Sequence, residues 1–351
     1  MAEKKDIRAL TKDELREYFI SIGEKPFRAQ QVYEWLWQKG HKSFEEMTNL
    51  SLELRQKLEE NFVINHIRVD EMQRSSDGTI KNAVRLHDGK IVESVLIPTD
   101  KRITACISSQ VGCSLDCTFC ATARLKRMRN LNADEIYDQV VAIKNEAENF
   151  YGRPLTNIVF MGMGEPLMNY HNVLNAIDKI TSLEGLGMSP KRITLSTVGL
   201  AKMIRKLADD EVKFRLAVSL HSARDEVRDR IMPINLKNPL PELADALRYW
   251  YQKTKSKVTY EYVVWKDIND KPEDIQALAK FCKMIPCKVN LIEYNPIDEG
   301  EFQQADSQAL NDYLNSLKEV GIVAKVRHSR GKDIDAACGQ LANKNEIAGT
   351  A

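Results

Sequence analysis

Apolar and polar positions follow two successive patterns along the chain. Over residues 1–66 the spacing is helical. Thr11-Lys-Asp-Glu14 reads as a capping box ahead of Leu15, Tyr18 and Phe19; Ala29, Val32, Tyr33 and Leu36 recur at three- and four-residue steps; and 51–62 predicts a further helix. Trp35 and Trp37 fall on the apolar side of this pattern and are expected in the core. Beyond residue 66 the runs shorten. Strands are expected at 67–74, 80–86 and 91–97, with turns at Ser75-Ser-Asp-Gly78 and His87-Asp-Gly89, giving a hairpin connector over 67–98. From 99 to 332 strand-like runs (102–108, 157–161, 192–196, 214–221, 258–264, 288–293, 322–327) alternate with helical ones such as 133–148 and 307–320. Such alternation implies a parallel sheet in an α/β protein. About six units fit a partial (β/α)6 barrel, with functional residues at the C-terminal strand ends. Residues 333–351 form a last segment, small and polar from 343 onward and expected to fray.

Composition changes this picture little. The 351 residues are 43% hydrophobic and 29% charged, enough for a large core. No run reads as a membrane span, and Met-Ala-Glu-Lys-Lys-Asp lacks an apolar signal region, so a cytoplasmic protein without a membrane partner is expected. The net charge of +1 announces no nucleic-acid partner in bulk, so any such surface has to be local.

Chemistry enters at Gln110-Val-Gly-Cys-Ser-Leu-Asp-Cys-Thr-Phe-Cys-Ala, where Cys113, Cys117 and Cys120 are spaced C-x3-C-x2-C. Three thiolates on one loop can hold three irons of a [4Fe–4S] cluster and leave the fourth iron open. A structural zinc site would need a fourth ligand, usually from a second C-x2-C pair, and none exists. A disulfide framework suits a small secreted chain instead. With Phe119 before the last thiol and a strand-like run before the loop, the motif resembles the radical S-adenosylmethionine (radical SAM) superfamily. That resemblance implies S-adenosylmethionine chelated at the open iron.

The strand ends carry matching polar groups. Met161-Gly-Met-Gly-Glu-Pro166, Ser196-Thr-Val-Gly199, Ser219-Leu-His221 and Glu293-Tyr-Asn295-Pro296 follow successive strands. Gly164, Glu165, Ser196, Ser219, Leu220, His221 and Asn295 are the candidate ligand-binding residues. Strand-end glycines and a lone histidine are ordinary turn and packing residues, so the weight lies in the four clusters falling in register.

Of the remaining thiols, Cys282 and Cys287 sit in apolar contexts and read as packing. Cys106, in the strand before the cluster loop, reads alone as a buried strand cysteine. Cys338 is flanked by small residues in Ala336-Ala-Cys-Gly-Gln-Leu-Ala342, where nothing demands a thiol for packing. With Ile91-Val-Glu-Ser-Val-Leu-Ile-Pro98, Ser108-Ser-Gln-Val-Gly-Cys113 and Met161-Gly-Met-Gly-Glu-Pro-Leu-Met-Asn169, this segment resembles the RlmN-type methyltransferases over nearly the whole chain.

That resemblance implies methylation of C2 of adenine 2503 in 23S rRNA, and in some members of C2 of adenine 37 in tRNA. It implies Cys338 as methyl carrier, Cys106 as the thiol that resolves a protein–RNA adduct through a transient disulfide, and Glu93 as general base. Two molecules of S-adenosylmethionine per turnover, an electron donor such as flavodoxin or ferredoxin, and a monomer are implied as well. Without the motif Glu93 reads as a solvated glutamate on a connector strand. Arg124, Lys126, Arg127, Arg129, Arg327, Arg330 and Lys332 are candidate phosphate contacts. The loop Ala123-Arg-Leu-Lys-Arg-Met128 departs from many relatives, which carry a Gly-Phe pair there. The rival readings are Cfr-like methylation at C8, a radical SAM enzyme on another substrate, and a non-catalytic RNA-binding protein with a structural metal.

Overall fold

The computed structural model describes residues 4–298 and 300–343. The helical start forms α1 (Lys12–Ser21), α2 (Arg28–Trp37) and α3 (Leu52–Asn61). The capping box closes α1: Thr11 accepts from the Glu14 amide, and Glu14 accepts from the Thr11 amide at 2.6 Å. Trp35 and Trp37 are buried, as their place on the apolar face predicted.

The described residues form a ten-stranded sheet in strict chain order. Its strands are β1 (Arg68–Arg74), β2 (Ile80–Arg85), β3 (Ile91–Pro98), β4 (Ile103–Cys106), β5 (Asn157–Phe160), β6 (Ile193–Thr197), β7 (Arg215–Ser219), β8 (Val258–Val263), β9 (Cys287–Ile292) and β10 (Val323–Arg327). From β4 to β10 every pairing is parallel, with helices between successive strands: α4 (Ala133–Tyr151), α5 (Tyr170–Thr181), α6 (Ala201–Asp209), α7 (Leu240–Thr254), α8 (Pro272–Cys282) and α9 (Ser307–Glu319). This is six strand–helix units plus a closing strand, left open between β10 and β1, in keeping with the expected partial barrel.

The hairpin strands differ from expectation in one respect. They are no free-standing connector but an antiparallel extension of the barrel sheet, with β3 pairing directly with β4 from Val95↔Cys106 to Pro98↔Ile103. The physical reason lies in β3, whose sequence Ile-Val-Glu-Ser-Val-Leu-Ile-Pro is buried on both faces but for Ile97, so it has to be covered on both sides. Asn343, expected in a frayed tail, is buried, and its Nδ2 donates to Ile91 O at 2.7 Å; residues 344–351 lie outside the described residues. Among the described residues no helix is long and apolar enough to cross a membrane.

The helical unit is fastened to the barrel by a buried charge. Arg8 reaches from the chain start to Asp138 (2.8 Å) and Asp134 (3.1 Å) on α4, while Trp37 packs edge-on against Tyr137 with 5.1 Å between ring centroids. Removing one partner of a buried ion pair strands the other, a loss of about 3–5 kcal/mol. Arg8→Ala should therefore lower stability by about that amount in urea unfolding, because two carboxylates stay behind in the seam. A loss under about 1 kcal/mol would mean that the seam is wet enough to solvate them.

Candidate functional site

The cluster loop leaves the end of β4 and is pinned before it reaches the cysteines. Gln110–Val111 pairs antiparallel with Arg129–Asn130. Gly112, at φ +73°, crosses so close to Lys126 that a Cβ would lie 2.5 Å from its carbonyl oxygen, which only glycine permits. Cys117 is buried, and Cys113 and Cys120 are half-buried; all three line one cavity at the C-terminal ends of the parallel strands. Phe119 turns inward against His221 (4.8 Å) and Trp265 (5.0 Å). Burial pushes the Cys113 thiol up to about 11 and raises Cys117 and Cys120 as well. Among the described residues no group of three His, Cys, Asp or Glu converges on a single-ion site.

The strand-end clusters meet at the same cavity, which Gly164, Glu165, Ser196, Ser219, His221 and Asn295 line. Leu220 does not line it; its side chain is fully buried and its amide donates to Glu261 O. The glycines after β5 serve the loop more than a ligand. A Cβ on Gly162 would come within 2.7 Å of Ile107 O, and one on Gly164 within 2.5 Å of Gln110 Cβ. The glycines let the β5 end and the cluster loop close against each other. Glu165 is buried and accepts from the amides of Leu167 (3.0 Å) and Val198 (2.9 Å), while burial raises its carboxyl to about 7. His221 adopts φ +54°, and its Nδ1 accepts from the Val263 amide at 3.1 Å. Burial holds it down at about 3, so the ring is neutral with its proton on Nε2.

Cys338 arrives from the other end of the chain. Gly339, at φ +88°, turns the backbone, and its carbonyl accepts from the Ala121 amide, next to Cys120, at 2.7 Å. Thr122 Oγ1 donates to Leu341 O (2.6 Å), Gln340 Nε2 to Pro296 O (2.9 Å) and Asn295 Nδ2 to Cys338 O (3.3 Å). Cys338 lines the cavity beside the cluster cysteines. Cys106, at the end of β4, lies behind it: the thiol is buried, pushed up to about 12 by burial and then by the charge of Cys338. All seven cysteines are free thiols, so the disulfide expected between Cys106 and Cys338 is not formed here. Cys282 and Cys287 are buried packing residues, the Cys287 thiol donating to Cys282 O at 3.4 Å.

The structure shows what the charged candidates meet. Glu93 is not solvated: it is buried, lies 3.4 Å from Lys81 Nζ, and accepts from the amides of Ala342 and Asn343 without lining the cavity. Arg327 is turned toward the cavity and is largely covered. It lines the cavity 3.6 Å from the buried Glu261, and the neighbouring Cys338 and Glu261 hold its guanidinium firmly charged against the cost of burial. Arg129 is committed to Asp88 (2.8 Å) and Glu135 (2.7 Å), Lys332 to Glu293 (2.8 Å), and Arg330 donates to Asp77 O (3.3 Å). Lys126 and Arg127 stay exposed on the loop surface. Glu261 was missed in the sequence; a lone carboxylate inside Val258-Thr-Tyr-Glu-Tyr-Val263 was the available signal.

The donor set fits the expected groups. Three cysteine sulfurs edge the cavity, as a cluster with one open iron requires. One buried acceptor on the cavity wall, Asn295 Oδ1, has no hydrogen-bond partner of its own, whereas Glu261 Oε2 faces the Arg327 guanidinium at 3.6 Å. Buried polar atoms are normally paired, so Asn295 asks for a ligand with amino or hydroxyl donors, such as S-adenosylmethionine carries.

Comparison with known proteins points the same way. Residues 5–64 match the model of the ribosomal RNA large subunit methyltransferase N-terminal domain, and residues 107–282 match the radical SAM superfamily. The chain is 72% identical over 342 residues to a probable dual-specificity RNA methyltransferase RlmN of Flavobacterium psychrophilum, covering 97% of this chain and 99% of that one. It is 42% identical to the dual-specificity RNA methyltransferase RlmN of Marinobacter nauticus, covering 98% and 94%. The crystal structure of a radical SAM methyltransferase from Sphaerobacter thermophilus superposes with a TM-score of 0.90 at 38% identity, over 96% of this chain and 99% of that one. With a cluster loop, a strand-end cavity and a helical start that all match, the chain belongs to the RlmN family of radical SAM methyltransferases.

Proposed function

We propose that this protein methylates C2 of adenine 2503 in 23S rRNA and C2 of adenine 37 in tRNA, with Cys338 as methyl carrier, Cys106 as resolving thiol and Glu93 as general base. One observation carries the reading: Cys338, more than two hundred residues from the cluster loop, shares its cavity and has Cys106 behind it. A site built only to bind S-adenosylmethionine has no use for two further thiols.

The chemistry explains why two are needed. C2 of adenine is an electron-poor ring carbon and cannot attack a methyl sulfonium itself. Cys113, Cys117 and Cys120 would hold three irons, and the unpaired acceptor of Asn295, with Gly164, Glu165, Ser196, Ser219 and His221, would hold S-adenosylmethionine. A reduced cluster with S-adenosylmethionine bound would supply a hydrogen-abstracting radical, for which cluster potentials as low as roughly −700 mV are available. Cys338 is the nucleophile that takes a methyl group, since thiolates are strong nucleophiles. The Arg327 guanidinium lies beside it. The methyl held by Cys338 would then give up a hydrogen atom, for which a second S-adenosylmethionine per turnover would be needed. Once that carbon is bonded to C2, the ring gives up its unpaired electron to a one-electron carrier and Glu93 takes the C2 proton; the Cys106 thiolate then attacks the Cys338 sulfur, and the S–C bond breaks with its electron pair on carbon, which takes up a proton to complete the methyl group. The two thiols end as a disulfide, and two electrons return them to the free state. Extruding the adenine from structured RNA costs a few kcal/mol of unstacking. Phosphate contacts from the exposed Lys126 and Arg127 help to offset it.

Mass spectrometry of ribosomal RNA from cells with and without this protein should place the dependent methyl on C2 of the adenine. A methyl on C8 would replace this reading with the Cfr-like one. Cys106→Ala should methylate Cys338 normally, attack RNA once and stop there, leaving a covalent Cys338–adenine adduct that nuclease trims to a single nucleotide. A cysteine that merely packs would give a variant destabilised by about 1 kcal/mol or more that still turns over. Normal turnover without adduct would remove Cys106 from the scheme.

A further inference from the structure

The carboxylate of Glu93 has both oxygens engaged. Oε2 accepts from the amides of Ala342 (2.8 Å) and Asn343 (3.2 Å), and Oε1 faces Lys81 Nζ at 3.4 Å. Sheet register explains where this happens. Lys81, Val95 and Cys106 stand opposite one another across β2, β3 and β4, so their side chains share one face of the sheet. Glu93, two residues from Val95 on β3, shares that face, ~7 Å further along the strand. The segment that carries Cys338 therefore crosses the face on which Cys106 lies. It is tied to the cluster loop at Gly339 and Leu341, and to Glu93 and Ile91 immediately afterwards.

We infer that Glu93 is a latch as well as a base: its carboxylate fastens residues 342 and 343, and so sets Cys338 over Cys106, until an entering RNA base displaces them. The inference rests on the proposed roles of Cys338 and Glu93. A general base has to lie within hydrogen-bond reach of the proton it takes. While the two amides occupy Oε2, no substrate proton reaches that oxygen, and Lys81 covers the other. The latch thus imposes an order. Cys338 is held in place for its own methylation in the closed state, and proton removal from RNA waits for the open one. Glu93 is in this sense a positioning residue first, and a catalytic residue only after release.

The test uses the full chain and three variants. Hydrogen exchange of the 342 and 343 amides reports the latch without any reaction. Peptide mass spectrometry reports methylation of Cys338 by S-adenosylmethionine in the absence of RNA. Glu93→Ala should speed exchange of both amides roughly ten-fold or more, the factor expected for losing a charge-assisted hydrogen bond, and lower RNA-free methylation of Cys338 several-fold. Glu93→Gln keeps an acceptor oxygen, so it should retain most of the exchange protection and of the Cys338 methylation, yet lose methylation of RNA. Asn343→Gly leaves Glu93 intact, tolerates the φ of +51° at that position and removes only the bond to Ile91 O. It should loosen the same two amides to a smaller extent, and it decides the matter should Glu93→Ala fail to fold. Parental exchange rates and parental Cys338 methylation in Glu93→Ala would overturn the latch. An unmethylated Cys338 in the parent protein would instead overturn the carrier role, with the exchange comparison still deciding the latch.

Discussion

The amide of Ala121 donates to the carbonyl of Gly339 at 2.7 Å, and most of the site depends on that bond. It joins the loop that carries Cys113, Cys117 and Cys120 to the segment that carries Cys338. Neither partner is a side chain, so the bond constrains backbone shape more than residue type, except at Gly339, whose φ of +88° suits glycine. Two side-chain bonds on either side, Asn295 to Cys338 O and Thr122 to Leu341 O, keep the segment from pivoting about that single point. A thiol carried by a free tail would meet the cavity only as often as diffusion allowed. Held this way, its encounter is intramolecular.

The second constraint is charge in a buried place. Cys106, Arg327 and Glu261 are packed close to Cys338 in the low-dielectric interior of the barrel. Burial drives the Cys106 thiol up to about 12. Arg327 works in the opposite direction on the Cys106 thiol. Its own charge is sustained by Glu261, whose Oε1 is in turn fixed by Asn290 Nδ2 at 2.7 Å. The cavity wall is thus a short chain of paired groups that runs from the thiols through Arg327 to Glu261 and Asn290.

Much of this was legible in the chain. The capping box of α1, the strands alternating with helices, the cysteine loop and the polar strand ends each depend on local spacing or on a motif read along the sequence, and the structure has them where the pattern put them. Trp35 and Trp37 were readable as core because amphipathic spacing records which side of a helix faces inward.

What the pattern could not decide is what each charged side chain meets. Arg327, Arg129 and Glu93 look in sequence like solvated surface groups, and Glu261 like an accident in a strand. Each is paired or buried by residues far away along the chain: Glu261 for Arg327, Asp88 for Arg129, and the amides of Ala342 and Asn343 for Glu93. The same holds for the antiparallel strands β1 to β3, whose alternation predicts strands but not the sheet they join. Spacing along the chain fixes which residues share a face. Only the folded chain decides which faces meet, because pairing energies between charges depend on separation in space and on burial, and sequence distance carries neither.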